Sequence, residues 1–280
     1  MAKYNEVIEM VKPKVLVVTG YGINCDIETE LAFNLAGADA ERIHINDLIG
    51  GYKRMDDYQV LALPGGFSFG DDIGSGKVLA NKMRYKVGED VQRFVERDKL
   101  VIGICNGAQV AIKYDLLPAF DGYGVQKATL TFNDSGRFED RWVHLRNESD
   151  RCVFTKGIDT VYLPVAHGEG KFVCSPEALT KLKENGQIVF RYVDEKGNPA
   201  NGAYPINPNG SLGDVAGICD TTGKVFILMP HPERHLTPYT NPRWSRLKQD
   251  GRLPDEGDGM RIFRNAVSYV KGHRLKTVVC

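Results

Sequence analysis

Short apolar runs alternate with amphipathic stretches along the first part of the chain. Lys14–Thr19 (KVLVVT) is rich in branched residues and stops at Gly20, the pattern of a strand buried on both faces. Residues 26–36 then carry apolar positions at helical spacing. They predict a helix with Leu31, Ala32 and Leu35 on one face and Gly37 as its stop. Residues 59–63 predict a second strand, ended by Pro64-Gly65-Gly66. Residues 88–97 predict a helix with Val91, Phe94 and Val95 on its apolar face. A third strand over 99–104 runs almost directly into a helix over 107–114. Strands alternating with helices in this way make a mainly parallel sheet with helices on both faces.

The pattern changes between about 122 and 173. Thr129, Thr131, Phe132, Trp142, Val143 and Leu145 fall in alternating stretches, which predicts antiparallel strands added to the main sheet. Further strands are predicted at 187–193, Val215–Cys219 and 225–229, and a closing helix at 260–270 with Ile262, Phe263, Ala266, Val267 and Val270 on one stripe. Residues 238–259 are rich in Pro, Gly and charge and predict an irregular surface segment. No repeat divides the chain, so an α/β fold in a single domain over residues 1–280 is expected.

Charge and cysteine content narrow the function. Thirty-six basic and 36 acidic side chains leave no net charge, whereas a nucleic-acid binder shows a basic excess. No apolar run is long enough to span a bilayer, and the first residues lack the apolar stretch of a secretory leader. A cytoplasmic protein without nucleic-acid or membrane contacts is expected. Cysteines stand at 25, 105, 152, 174, 219 and 280, none in a C-x-x-C pair, so neither a zinc site nor a redox dithiol is indicated.

One cysteine has an informative frame. Gly103-Ile104-Cys105-Asn106-Gly107 lies where a buried strand turns into a helix, the cysteine version of the G-x-S-x-G nucleophile elbow. Such a turn strains the nucleophile's backbone, and glycines at the flanks remove collisions. It also sets the sulfur at a helix N-terminus and aims the Asn106 N–H where an oxyanion would form. An arbitrary cysteine is more often core packing. The glycine frame reverses that for Cys105; the other five are expected to be structural.

A thiol nucleophile needs a base, and the base an orienting acceptor. His231-Pro232-Glu233 follows the strand at 225–229, and Pro232 holds His231 extended. Residues two apart in extended chain face the same way, so Glu233 can fix one ring nitrogen of His231 while the other faces Cys105. His235 is a weaker candidate base, and His44, His144 and His273 lack comparable context. The Gly65-Gly66 turn is the natural second oxyanion donor. Residues 70–77 (GDDIGSGK) resemble a phosphate loop but fail it. The first glycine is one residue too far away, and Val78 stands where Ser or Thr should bind magnesium. His167-Gly168-Glu169-Gly170 could offer backbone groups and a carboxylate to a zwitterion.

Together these residues resemble class I (triad) glutamine amidotransferases. Within them they are most similar to the glutaminase subunits or domains of phosphoribosylformylglycinamidine synthases. The matching segments are 63–71 (LPGGFSFGD), 103–109 (GICNGAQ), 165–172 (VAHGEGKF), 191–199 (RYVDEKGNP), 204–211 (YPINPNGS), 229–234 (MPHPER) and 260–266 (MRIFRNA). The resemblance implies a flavodoxin-like fold and the triad Cys105, His231 and Glu233. It also implies an oxyanion hole near Gly66 and Asn106, and substrate contacts around Gln109 and His167, Gly168 and Glu169. Glutamine would be hydrolysed through a Cys thioester, and the ammonia passed to a synthetase subunit that makes formylglycinamidine ribonucleotide in purine biosynthesis. No cofactor is expected on this chain; ATP and magnesium would be bound by the synthetase, and a small accessory subunit is possible. The alternatives are an amidotransferase of another pathway and a non-catalytic regulatory subunit. An α/β-hydrolase would need its acid between nucleophile and histidine.

Overall fold

The computed structural model describes residues 12–278, with side chains through residue 273. Residues 1–11, where the sequence shows no apolar stretch of a secretory leader, and Cys280 therefore lie outside the described residues. In chain order the elements are β1 (Lys14–Thr19), α1 (Asp26–Leu35), β2 (Asp39–His44), α2 (Ile45–Ile49), β3 (Val60–Leu63), α3 (Lys77–Glu96), β4 (Leu100–Ile104) and α4 (Asn106–Lys113). There follow β5 (Ala128–Thr131), β6 (Glu139–Asn147), β7 (Thr160–His167), β8 (Lys171–Cys174), α5 (Pro176–Glu184) and β9 (Ile188–Val193). The chain closes with β10 (Val215–Cys219), β11 (Val225–Leu228), α6 (Trp244–Gln249) and α7 (Met260–Val278).

Nine strands form one sheet in the order β2-β1-β3-β4-β11-β10-β9-β6-β7. The first five are mutually parallel, and the remaining four are added antiparallel. The predicted mainly parallel core with antiparallel additions is therefore present. Strands β3, β4 and β11 are buried along their whole length, as continuous apolar runs require. Since β4 lies between β3 and β11, its last residue delivers Cys105 to the carboxyl end of the central strands, where ligands gather in open α/β sheets.

The structure departs from the sequence reading in several places. Strand β5, with Thr129 and Thr131, pairs with β8 in a separate two-stranded ribbon, and Phe132 just beyond it is exposed. Strand β2 and helix α5 were not predicted, and α3 begins eleven residues before its predicted start at 88. Helix α1 buries Thr29, Ala32 and Phe33, with Phe33 edge-on to Phe263 of α7 at 5.0 Å. Leu31 and Leu35, expected inside with Ala32, are 50% and 54% exposed. The segment 238–259 is largely on the surface as expected, but it contains α6 and is tied to the sheet through Asp258.

That tie matters at the edge of the sheet. β7 is an edge strand, and its outward backbone groups are taken by the segment after β11. Tyr162 N–H donates to Asp258 Oδ2 (2.8 Å), the Pro164 carbonyl accepts from His231 N–H (2.8 Å), and His235 Nδ1 lies 2.9 Å from the Tyr162 carbonyl. Farther along, the Ala166 carbonyl is 3.6 Å from the Cys105 sulfur. Among the described residues no helix is long and apolar enough to cross a membrane.

Candidate active site

The β4–α4 turn has the form its glycines predict. Cys105 holds φ 50° and ψ −107°, a conformation that costs an L-residue on the order of 1–3 kcal/mol. A Cβ on Gly103 would stand 2.7 Å from the Gly107 carbonyl oxygen, and one on Gly107 would stand 1.8 Å from the Leu63 carbonyl oxygen. Neither contact can be relieved by a side-chain rotation, because the obstacle is backbone. Gly107→Ala is therefore expected to lower stability by about 1–3 kcal/mol or more, read as a fall in the urea midpoint at unchanged slope.

Asn106 and Gln109, on the first turn of α4, brace the loop after β3. Asn106 Oδ1 accepts from Ser68 N–H (3.1 Å), and its Nδ2 donates to Asp71 (3.0 Å) and to Gln109 Oε1 (2.9 Å). Gln109 Nε2 in turn donates to the Glu169 carbonyl at 2.6 Å.

His231 and Glu233 are both buried. Their spacing does what extended chain predicts: His231 Nδ1 lies 2.5 Å from Glu233 Oε1. Burial opposes a charged imidazole, but the Glu233 carboxylate and the sulfur atoms of Cys105 and Cys25 outweigh it and hold the His231 pKa well above the ordinary value. The other ring nitrogen, Nε2, is buried without a hydrogen-bond partner among the described residues. A buried polar atom left so costs about 1–3 kcal/mol, which fits a group kept for a reacting molecule. Gly65 must be glycine beside it, since a Cβ there would come within 2.8 Å of His231 Cε1.

Cys105, Gly66 and His231 line one cleft, together with Cys25, Asp140 and Arg234. The last three were not singled out in the sequence. Cys25 sits in the loop at the carboxyl end of β1, and that position was the available signal. Arg234 Nη2 donates to its sulfur at 3.0 Å. Cys25, His231 and Glu233 bring potential ligand atoms within 4.8 Å of one another. A guanidinium on the sulfur sets a fixed positive charge against any cation there, so the cluster is a poor metal site. Asp140 and Arg234 give the cleft an acidic and a basic group, suited to an amino acid's ammonium and carboxylate.

The HGEG segment is placed differently from its expected use. Glu169 directs its carboxylate to Ser75 N–H (3.1 and 3.3 Å) and toward Lys113 Nζ (3.5 Å), so it is spent inside the protein. His167 Nδ1 lies 3.1 Å from Asn133 Oδ1, and burial, with the positive charge of His231, pushes its pKa down to about 3. Gly168 offers its carbonyl to Asn133 N–H at 3.0 Å. None of Gln109, His167, Gly168 and Glu169 is among the residues that line the cleft with Cys105; Gln109, His167 and Glu169 are buried and bonded within the protein, and Gly168 is half-buried. His235 is likewise structural, edge-on to Trp142 at 5.0 Å.

A family model described as a CobB/CobQ-like glutamine amidotransferase domain matches residues 12–270. The phosphoribosylformylglycinamidine synthase subunit PurQ of Methanococcus maripaludis strain S2 is 50% identical over 267 residues, covering 92% of this chain and 98% of that protein. The subunit of the same name from Dehalococcoides mccartyi strain 195 is 50% identical over 263 residues, covering 94% and 99%. Among solved structures, a chain of PurLQS from Thermotoga maritima superposes with a TM-score of 0.68 at 29% identity, covering 92% of this chain and 99% of that one.

Proposed function

This chain belongs to the family of CobB/CobQ-like glutamine amidotransferase domains, and from that membership we propose that it is the glutaminase subunit of a phosphoribosylformylglycinamidine synthase. One observation carries the reading to chemistry: the buried His231, fixed at Nδ1 by Glu233, shares a cleft with Cys105 on a strained elbow.

In this reading the Cys105 sulfur attacks the side-chain carboxamide carbon of glutamine. The developing oxyanion is held by the N–H groups of Gly66 and Asn106. His231 takes the Cys105 thiol proton on Nε2 as the sulfur attacks, and the imidazolium, favoured by the raised pKa, gives that proton to the leaving amide nitrogen, which departs as ammonia. The same nitrogen then takes a proton from the water that cleaves the thioester, releasing glutamate and the free thiol. Glu233 keeps the proton on Nδ1 and offsets the imidazolium charge without itself reacting.

The ammonia passes to a synthetase subunit, which supplies ATP and magnesium and makes the amidine of the ribonucleotide. Two observations support leaving the nucleotide to that partner. Residues 70–77 lack the P-loop spacing, and the Ser75 N–H there is already capped by the protein's own Glu169 carboxylate. The cytoplasm is the proposed compartment; Cys25, Cys105, Cys152, Cys174 and Cys219 are all unpaired thiols, as a reducing environment maintains them.

Hydrolysis in the absence of the partner would release ammonia into water as unreactive ammonium. Steady-state glutaminase kinetics of the chain alone are therefore expected to show a low kcat/KM. A rise on adding synthetase, an ATP analogue and the formylglycinamide ribonucleotide is expected. An unchanged kcat/KM with all three present would identify a stand-alone hydrolase instead.

A further inference from the structure

We propose that Cys25 is a positioning residue for glutamine hydrolysis, holding the base through its sulfur and the second oxyanion donor through its backbone. The inference rests on the glutaminase reading and assigns a role to a residue outside the triad.

The oxyanion loop is held by the segment after β1. Asn24 N–H and Cys25 N–H both donate to the Gly65 carbonyl, at 3.3 and 3.2 Å. In a trans peptide the carbonyl and the following N–H point in opposite directions. Anchoring the Gly65 oxygen therefore turns the Gly66 N–H away from residues 24 and 25, and among the described residues no backbone acceptor takes it. Gly66 lines the cleft with Cys105. The fit is tight, since a Cβ on Gly66 would stand 2.6 Å from the Gly22 carbonyl oxygen.

The side chain of Cys25 reaches the other half of the machinery. It is fully buried, accepts from Arg234 Nη2, and lies with the His231 and Glu233 ligand atoms inside 4.8 Å. Gly65 is wedged between the two: a Cβ on it would be 3.2 Å from the Cys25 sulfur and 2.8 Å from His231 Cε1. Arg234 follows Glu233 directly, so its bond to the sulfur pins the turn that carries the base. One residue thus fixes the separation between proton donor and oxyanion donor. Cys25 has no glycine-framed elbow of its own, which leaves the nucleophile's role to Cys105.

The test compares Cys25→Ala, Cys25→Ser and Arg234→Gln in the full complex with its synthetase. Ammonia-dependent synthesis reports folding and docking. Cys25→Ala is expected to lower the glutamine kcat about 10-fold or more while KM changes little, because the affected groups act on the transition state. Its pH profile should shift as well. The titratable groups around His231 are Glu233, Arg234, Cys105, Cys25 and His167. Removing Cys25 takes away one that raises the imidazole's pKa, so the His231 limb moves to lower pH. Cys25→Ser, whose hydroxyl can still accept from Arg234, should recover most of the rate. If Cys25→Ala does not fold, Arg234→Gln breaks the same link from the exposed side and is expected to lose kcat by a similar factor, whereas loss of a contact to the substrate carboxylate alone would raise KM and leave kcat in place.

Wild-type kcat and an unmoved pH profile in Cys25→Ala, or wild-type kcat in Arg234→Gln, would overturn the proposal. So would equal losses in the Ala and Ser variants with an unmoved profile, which is the signature of packing alone. Failure of the glutaminase reading is separately visible, as no glutamine hydrolysis by the wild-type complex while ammonia-dependent synthesis proceeds.

Discussion

Cys105→Ala is expected to reduce glutamine hydrolysis by on the order of 10⁶-fold, while ammonia-dependent synthesis by the assembled complex continues. The loss follows from the site's geometry. The sulfur is the group at the elbow that can form a thioester, and alanine leaves the strained backbone, the α4 N-terminus and the oxyanion N–H groups in place. Those groups cannot hydrolyse an amide without a nucleophile. The buried Cys25 thiol is engaged by Arg234 and is not expected to substitute. The measurement is glutamate release beside ammonia-dependent product formation on the same preparation. Glutamate release at the wild-type rate would remove Cys105 from the mechanism.

The second large effect separates His231 from Glu233. His231→Ala removes the group that moves the proton in both half-reactions and is expected to cost on the order of 10⁴-fold in kcat. Glu233→Gln keeps a hydrogen-bond partner at Nδ1 but loses the charge. A hydrogen bond to a charged group is worth roughly 1.5–3 kcal/mol, so a loss of about 10- to 100-fold is expected. The carboxylate also raises the His231 pKa, and its removal lowers the pH at which the imidazolium is lost. Glutaminase pH profiles of the two variants check both the ranking and the direction. Equal and negligible losses would withdraw the assignment.

The inner strands of the parallel half were readable because strands buried on both faces are continuous apolar runs, as in β1, β3 and β4, whereas the edge strand β2 has no such run. Cys105 was readable for a related reason. Its glycines answer to backbone collisions, and a collision leaves a mark on composition. His231 and Glu233 were readable because period two in extended chain sets both side chains on one side.

Elsewhere periodicity misled. Ile27, Leu31 and Leu35 form as regular a stripe on α1 as Thr29, Ala32 and Phe33 do, and the second stripe is the one inside. Spacing cannot choose between two such stripes; the shape of the opposing surface decides. Gln109, His167 and Glu169 carry polar groups suited to a substrate, yet each satisfies a neighbouring chain segment. The partners lie 34 to 94 residues away, a separation at which no local pattern registers. Cys25 reads as structural in the sequence for a like reason, since Arg234 meets it from 209 positions along the chain.

An unguarded edge strand is a template on which a second chain can add itself, and natural sheets close such edges. Here the closure of β7 is made by the turn that carries the base and by the nucleophile: the structural His235 beside the Tyr162 carbonyl, the His231 N–H on Pro164 and the Cys105 sulfur near Ala166. Pro164 adds the familiar defence of an edge position with no N–H to offer. Catalysis and resistance to aggregation therefore draw on the same turn. A changed side chain at His231 leaves its N–H on the edge and silences the enzyme without unsealing it. Damage that lifts the turn's backbone away does both, and turns an inactive subunit into a seed for strand addition.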